Sequence, residues 1–365
     1  NLYASAILIN QLKDSLIIIS LDLIWVDKDF SLIIQDWIRS KYDSIEIEVL
    51  LIASHSHSTP QISQKIQNSA RPNSEYLSFL FNQICTLVEN AWENIEQCYA
   101  MLSIANSQLS VNRRKKIIDT SSLKRGIIKK IIANRPNYNG ACDDYLYCVW
   151  FYNNDRKEKA VLLNYASHAS LYRGNAVSSD YPGEVSNYLK NEVSKDLIVC
   201  FLQGFTGNIK ADLTINSFTN FHSITSFIFN SFFDRVQFNK KITNTEIEVF
   251  SKKIGKIALE RKKETLIKPY IFFINKTVKL PYKDLNEKNY ANLDLYYVSI
   301  SDKLKIFLVG GEIFTEYSIW IRDLLKKQKL NTLTVGYCND MVGYVPTKEA
   351  INSGGYEVDR TSEEF

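Results

Sequence analysis

Apolar and polar positions along this chain switch repeatedly between a period of two and a period near 3.6, the marks of strands and of amphipathic helices. Residues 2–9 and 16–23 predict two strands forming an early hairpin around Lys13-Asp14. Helical spacing follows over 30–39, and 45–53 reads as a strand. There Glu46 and Glu48 alternate with Ile45, Ile47 and Val49, so this strand is expected to enter half-exposed and become buried. Residues 74–95 form a long amphipathic helix with Leu77, Leu80, Phe81, Ile84, Leu87, Val88 and Ala91 on one stripe. A strand is predicted over 100–111, ending in the basic run 112–116. The segments 145–152 and 159–165 predict a hairpin around Asn153-Asn154-Asp155. Further on come a helix over 182–193, a strand over 198–202 and a helix over 246–262. Strands over 271–280, 295–300 and 304–309, a helix over 314–325 and a strand over 332–337 complete the pattern. Residues 213–245, rich in Phe, Asn, Ser and Thr, fit no element and are expected to be an insertion covering the site. His222 within it is read as incidental.

Strands alternating with helices, without repeats, low-complexity tracts or linkers, predict one large α/β domain with mixed sheets and flanking helices. A length of 365 residues permits one domain or two. With 45% hydrophobic and 23% charged residues the composition is that of an ordinary globular protein. A net charge of only +4, with scattered lysines, speaks against nucleic acid as a partner. The 21 tyrosines and 19 phenylalanines fit core packing first and an apolar pocket second. The longest apolar run, 16–24, is interrupted by Ser20 and Asp22 and is too short to span a bilayer, so no stable membrane insertion is expected. No signal peptide is visible, although the chain begins at Asn rather than Met. Six cysteines show neither a CxxC pair nor metal-ligand spacing. Cys142 and Cys148 are close enough in sequence for a short disulfide, but reduced thiols, and with them a cytoplasmic setting, are preferred.

The candidate chemistry gathers at strand ends. Only four histidines are present, and two of them, His55 and His57, close the 45–53 strand one residue apart before Pro60 stops pairing. In an extended segment alternate side chains share a face, so both would project the same way. That suits a metal ligand beside a group that handles a proton or substrate; two surface imidazoles are the plainer reading. Asn164-Tyr-Ala-Ser-His168 repeats the design, an apolar strand ending in a histidine. Asp22, closing an earlier strand, either accepts from a metal-bound histidine or caps the following helix.

Beyond these come Ser178-Ser-Asp-Tyr-Pro-Gly183, Leu202-Gln-Gly-Phe-Thr-Gly-Asn208, Val309-Gly-Gly-Glu312, Asn339-Asp-Met-Val-Gly-Tyr-Val-Pro-Thr347 and Gly354-Gly-Tyr-Glu357. In this order and at these separations they resemble the catalytic-domain motifs of the neutral/alkaline non-lysosomal ceramidase family. That family carries a T-H-T-H-S-G-P stretch, a later strand-end histidine, G-D-x-S-P and P-G-E segments, and N-x-x-x-G-Y followed by a Y-E pair. The resemblance runs from residue 2 to about 357. It implies a neutral-ceramidase-like domain with a zinc ion at the C-terminal ends of strands, bound by His55, His168, Glu312 and Tyr356. It also implies that His57 and Tyr344 face the substrate beside the metal. Arg113 matches an arginine of the family that reaches the substrate, and is alternatively part of a solvated basic run.

One departure changes the picture. Where the family has the serine of G-D-x-S-P-N, this chain reads Gly207-Asn-Ile-Lys-Ala-Asp212, so Lys210 stands in its place. A long cation there would bind a carboxylate or phosphate, or act as a base if desolvated. The family's leading Gly-rich segment and C-terminal immunoglobulin-like domain also have no counterpart in these residues. Together these features argue against ceramide itself. The expectation is a zinc-dependent hydrolase of linear amide C–N bonds acting on a small amide or acyl substrate. Cyclisation or acyl transfer in a biosynthetic pathway, and a non-catalytic binding protein of the same fold, are the alternatives.

Overall fold

The computed structural model describes residues 1–11, 14–63, 71–119, 126, 129–214, 236–260, 264–265, 269–281 and 290–359. The chain opens with β1 (Ala4–Gln11), β2 (Asp14–Leu21), α1 (Lys28–Lys41), β3 (Glu46–Ala53) and α2 (Ser74–Glu93). Then come β4 (Cys98–Asn106), β5 (Ser110–Ile118), β6 (Lys130–Asn137), β7 (Tyr145–Asn153) and β8 (Glu158–Tyr165). After α3 (Asp180–Glu192) follow β9 (Ile198–Gln203), β10 (Ile209–Ala211), α4 (Asn244–Glu260), β11 (Glu264–Thr265), β12 (Pro269–Pro281) and β13 (Tyr290–Ser301). The last elements are β14 (Leu304–Val309), β15 (Glu312–Ile313), α5 (Thr315–Lys326), β16 (Asn331–Val335), β17 (Tyr344–Val345), α6 (Lys348–Ser353) and α7 (Tyr356–Asp359).

Mixed sheets in the order β1-β2-β3, β11-β4-β7-β8-β9 and β12-β13-β14-β16 share a central core. Leu16, Ile18, Leu50 and Ile52 point into it from the first sheet, and Leu162, Cys200 and Leu202 from the second. Val298, Ile306 and Leu333 enter from the third. The alternate residues Ile17, Ile19, Val49 and Leu51 pack outward against Ile34 and Ile38 of α1 and Ile84 and Val88 of α2. Likewise Val161, Leu163 and Val199 pack against Val185 of α3 and Ile254 of α4. Strands covered on both faces need continuous apolar runs, which is why β2 and β3 read as nearly unbroken hydrophobic sequence.

Burial on both faces also corrects one expectation. Glu48 is 3% exposed, on the central-core side of β3 beside Leu50, and desolvation pushes its carboxyl pKa up. A second correction concerns 100–111, which is two strands. The break falls at Ser107-Gln108-Leu109, where Gln108 takes φ 55° and Asp144 accepts from the Ser107 hydroxyl and from the Leu109 and Ser110 amides. Consequently the basic run begins inside β5 instead of following a strand. Most of 213–245, with His222, lies outside the described residues. All six cysteines are free, and the largest buried aromatics, among them Trp150, Tyr165, Tyr181 and Phe205, serve the core.

Three parallel pairs decide where chemistry can sit. β2 runs with β3, β8 with β9, and β14 with β16, and the loops leaving their C-terminal ends meet. Asn339 fastens this junction: its side chain accepts from the Leu51 amide at 2.8 Å and donates to the Val49 carbonyl at 3.1 Å. The core itself carries the stability. Leu50→Ala, at a position fully buried between sheets, is expected to cost about 2–5 kcal/mol, read as a lowered denaturation midpoint with secondary structure retained at low denaturant.

Candidate metal centre and its cleft

His55 and His57 follow the end of β3, and His168 follows β8 by three residues. Their Nε2 atoms form a triangle: 3.3 Å from His55 to His168, 3.3 Å from His57 to His55, and 3.1 Å from His57 to His168. A pleated strand does not produce this. His55 has φ 62°, in the left-handed region, so a turn at the strand end swings the two imidazoles together. The His57 amide then donates to the Ala169 carbonyl at 3.1 Å, tying this loop to the one that carries His168. Gln203 secures both loops by donating to the Ser54 and Ser167 carbonyls, each at 2.9 Å.

The donor set fits a metal ion. His55 Nδ1 lies 2.8 Å from the Ile24 carbonyl, which can only accept, so Nδ1 carries the proton and Nε2 presents a lone pair. Four-coordinate ligands at roughly 2.0–2.1 Å stand about 3.3 Å apart, the spacing of this triangle. Glu312 Oε2 is 3.5 Å from His55 Nε2. Buried His168 Nδ1 has no hydrogen-bond partner among the described residues. Burial, with Arg113 and the other two imidazoles adding repulsion, holds His168 well below the usual histidine range. His57 is lowered for the same kinds of reason, and Lys210 and Arg173 contribute. His57 is exposed to solvent, whereas His55 and His168 are buried. Asp22 takes neither expected role. It accepts from the Tyr3 amide at 2.9 Å, and burial pushes its pKa up to about 7, while Asp27 caps α1.

The remaining residues arrive through strand register. The short parallel pair of β15 and β17 sets Tyr344 opposite Glu312. Tyr344 is 8% exposed, and the Arg113 guanidinium donates to its hydroxyl at 3.1 Å and to the Gly207 carbonyl at 2.8 Å. Burial and the Glu312 charge raise the Tyr344 phenol pKa. Burial alone would depress Arg113, but Tyr344, Glu357 and Glu312 outweigh it and keep the guanidinium protonated. Glu357 meets Arg113 Nε at 2.8 Å and Arg114 Nη1 at 2.5 Å, so Arg113 is a buried, paired cation and not part of a solvated basic run. Tyr356 is 49% exposed, with its ring edge-on to Tyr344 at 6.1 Å.

Two site residues escaped the sequence reading. Tyr337 stacks on His55 at 4.1 Å, bonds Thr206 Oγ1 at 2.6 Å through its hydroxyl, and lies 3.5 Å from Glu312 Oε2. Its position closing an apolar run looks like core. Glu357 is named in the Tyr-Glu pair, but nothing local reveals that its carboxylate is shared by two arginines.

Lys210 lies on β10 opposite Val111 of β5. Its ammonium stands 5.3 Å from the centre of the Phe238 ring, and burial, then Arg113 and Arg173, bring its pKa down to about 8.

At the level of the fold this arrangement has known counterparts. The chain is similar over 96% of its length to the crystal structure of neutral ceramidase from Pseudomonas aeruginosa, with a TM-score of 0.72 and 14% sequence identity, and it spans 63% of that chain. A ceramidase complexed with C2 gives a TM-score of 0.70 at 15% identity, covering 96% of this chain and 64% of the other. No protein-family model and no curated protein matches the sequence. The likeness establishes a neutral-ceramidase-like fold, and the chain spans less than two thirds of both structures.

The state of Lys210 has a measurable consequence. With a folded pKa of about 8 against an ordinary 10.5, the unfolded chain binds the extra proton between those values. Stability therefore rises with pH across that window, and below it the buried charge exacts its full cost. Lys210→Met is expected to stabilise the protein at pH 7 by on the order of 1 kcal/mol after solvent screening. The gain should fade above about pH 8 and vanish near 10.5. A melting temperature unchanged by the substitution at every pH would show that the ammonium is well solvated.

Proposed function

We propose that this protein is a zinc-dependent hydrolase of linear amide C–N bonds. The observation carrying the reading is the imidazole triangle beside Glu312, at a junction of strand ends in a neutral-ceramidase-like fold. In this reading His55, His168 and Glu312 hold the ion. Register favours Tyr344, set beside Glu312, over Tyr356 as the phenol that completes the set. When bound, such an ion lowers the pKa of water to about 7 and polarises a carbonyl.

The protein's own groups do the rest. His57, exposed in the cleft and neutral at physiological pH, accepts a proton from the attacking water and returns it to the leaving amine. Arg113, locked by Glu357 and Gly207, presents fixed positive charge where an oxyanion develops. Tyr337 packs flat on His55 and holds its ring in place. Ceramide is not the expected substrate, because Lys210 puts a desolvated cation at the position the family gives to serine. Among the described residues no helix is long and apolar enough to cross a membrane.

Elemental analysis after metal loading is expected to find about one zinc per chain, lost in His55→Ala and His168→Ala. His57→Gln should retain the ion and lose amide turnover, and Tyr344→Phe should weaken metal retention more than Tyr356→Phe. Wild-type metal content in both His55→Ala and His168→Ala would refute the ligand assignment.

A separate assay concerns the substrate. Long-chain ceramide presented in detergent micelles should be hydrolysed at well under the roughly 1–1000 per second of efficient enzymes. A rate within that range would restore ceramide as the substrate.

A further inference from the structure

Lys210 and Arg173 lie near His57, and both lower its pKa. Among the described residues, no carboxylate oxygen lies within ion-pair distance of either, whereas Arg113 and Arg114 share Glu357 and Arg322 has Asp143. Lys210 pairs with Val111 of β5, and Arg113, two residues further along, lies on that same face. Arg173 follows His168 on the loop that leaves β8. Most surface lysines turn to bulk water, but this one is only partly accessible, beneath the ring of Phe238. A cation kept half-buried among other cations weakens the fold, and an arriving anion would relieve that.

From this placement we infer that the cleft takes amides bearing a carboxylate close to the scissile bond, with N-acyl amino acids as the class. The carboxylate is received by Lys210, with Arg173 at the rim. A single ammonium backed by an exposed guanidinium matches a monoanion. The fork of Arg113, which a phosphate dianion would need, is already committed to Glu357, Gly207 and Tyr344. The inference rests on the amide-hydrolase reading. The reaction balances without a further reactant: water oxygen joins the acyl carbon, the C–N bond breaks, and the amine leaves with the proton, giving a fatty or other carboxylate and a free amino acid.

The test compares N-acyl amino acids of glycine, alanine, phenylalanine and glutamate with their carboxamides of the same acyl chain. Zinc-loaded wild type, Lys210→Met and Lys210→Arg are assayed side by side. Wild type is expected to prefer the acid at least about tenfold in kcat/KM, the scale of a charged hydrogen bond. Lys210→Met should bring that ratio towards one, mainly through KM, and Lys210→Arg should keep most of it. A ratio near one in wild type, or one unchanged by Lys210→Met, overturns the inference. If nothing is turned over, calorimetry with the same compounds and variants decides the matter. Tighter binding of the acid by wild type than by Lys210→Met upholds the anion site while the hydrolase reading falls. Equal or absent binding overturns the inference itself.

Discussion

Three imidazole nitrogens within 3.3 Å of one another cannot all carry protons, and this constraint governs the region around them. Two cations at such separation repel by several kcal/mol in a protein interior, and burial with mutual repulsion holds His57 and His168 well below the usual histidine range. Imidazoles whose Nε2 atoms converge in this way could hold a metal ion. The backbone supports it: the Ile24 carbonyl fixes the tautomer of His55, and Tyr337 clamps its ring.

The backbone around the site is less relaxed than the sheets that deliver it. His55, Asp180, Tyr337 and Asn339 all have positive φ between 53° and 62°, in loops that leave the sheets or open α3. Non-glycine residues keep such conformations where surrounding contacts over-determine them. Here those contacts are visible. Asp180 Oδ2 accepts from the Leu171 and Tyr172 amides, and Asn339 bonds along the edge of β3. Such conformations also occur at Gln108, Arg156 and Lys329, but around the histidines they fall where several strand ends converge.

Charge is distributed unevenly in the cleft. Glu357 satisfies Arg113 and Arg114 together, and Glu312 lies against His55, while Lys210 and Arg173 have no ion-pair partner among the described residues. The basic residues near the histidines thus divide into a part paired with Glu357 and a part with no ion pair among the described residues. Nothing in the one-dimensional run of lysines and arginines distinguishes the two.

The sequence by itself determined most of the longer strands and helices, since binary patterning reports burial directly: the apolar runs of β2, β3, β8 and β9 are what two-faced burial requires, whereas the break within 100–111, β6 and the short elements carry no such pattern. It also singled out strand-end residues that the fold brings together, because His55, His168 and Glu312 each close an apolar run with a residue that costs too much to bury idly. What it could not specify was contact between segments distant in sequence. That the His57 ring joins His55 and His168, that Glu357 serves two arginines, and that Glu48 is buried follow from loops meeting across 111 to 244 positions or from packing on both sheet faces. Pairing β15 with β17 placed Tyr344 beside Glu312 and left Tyr356 half exposed, a choice of register that two tyrosines of equal local character could not reveal. Side-chain periodicity is a local property of the chain, whereas the convergence of strand ends is fixed only when the sheets pack.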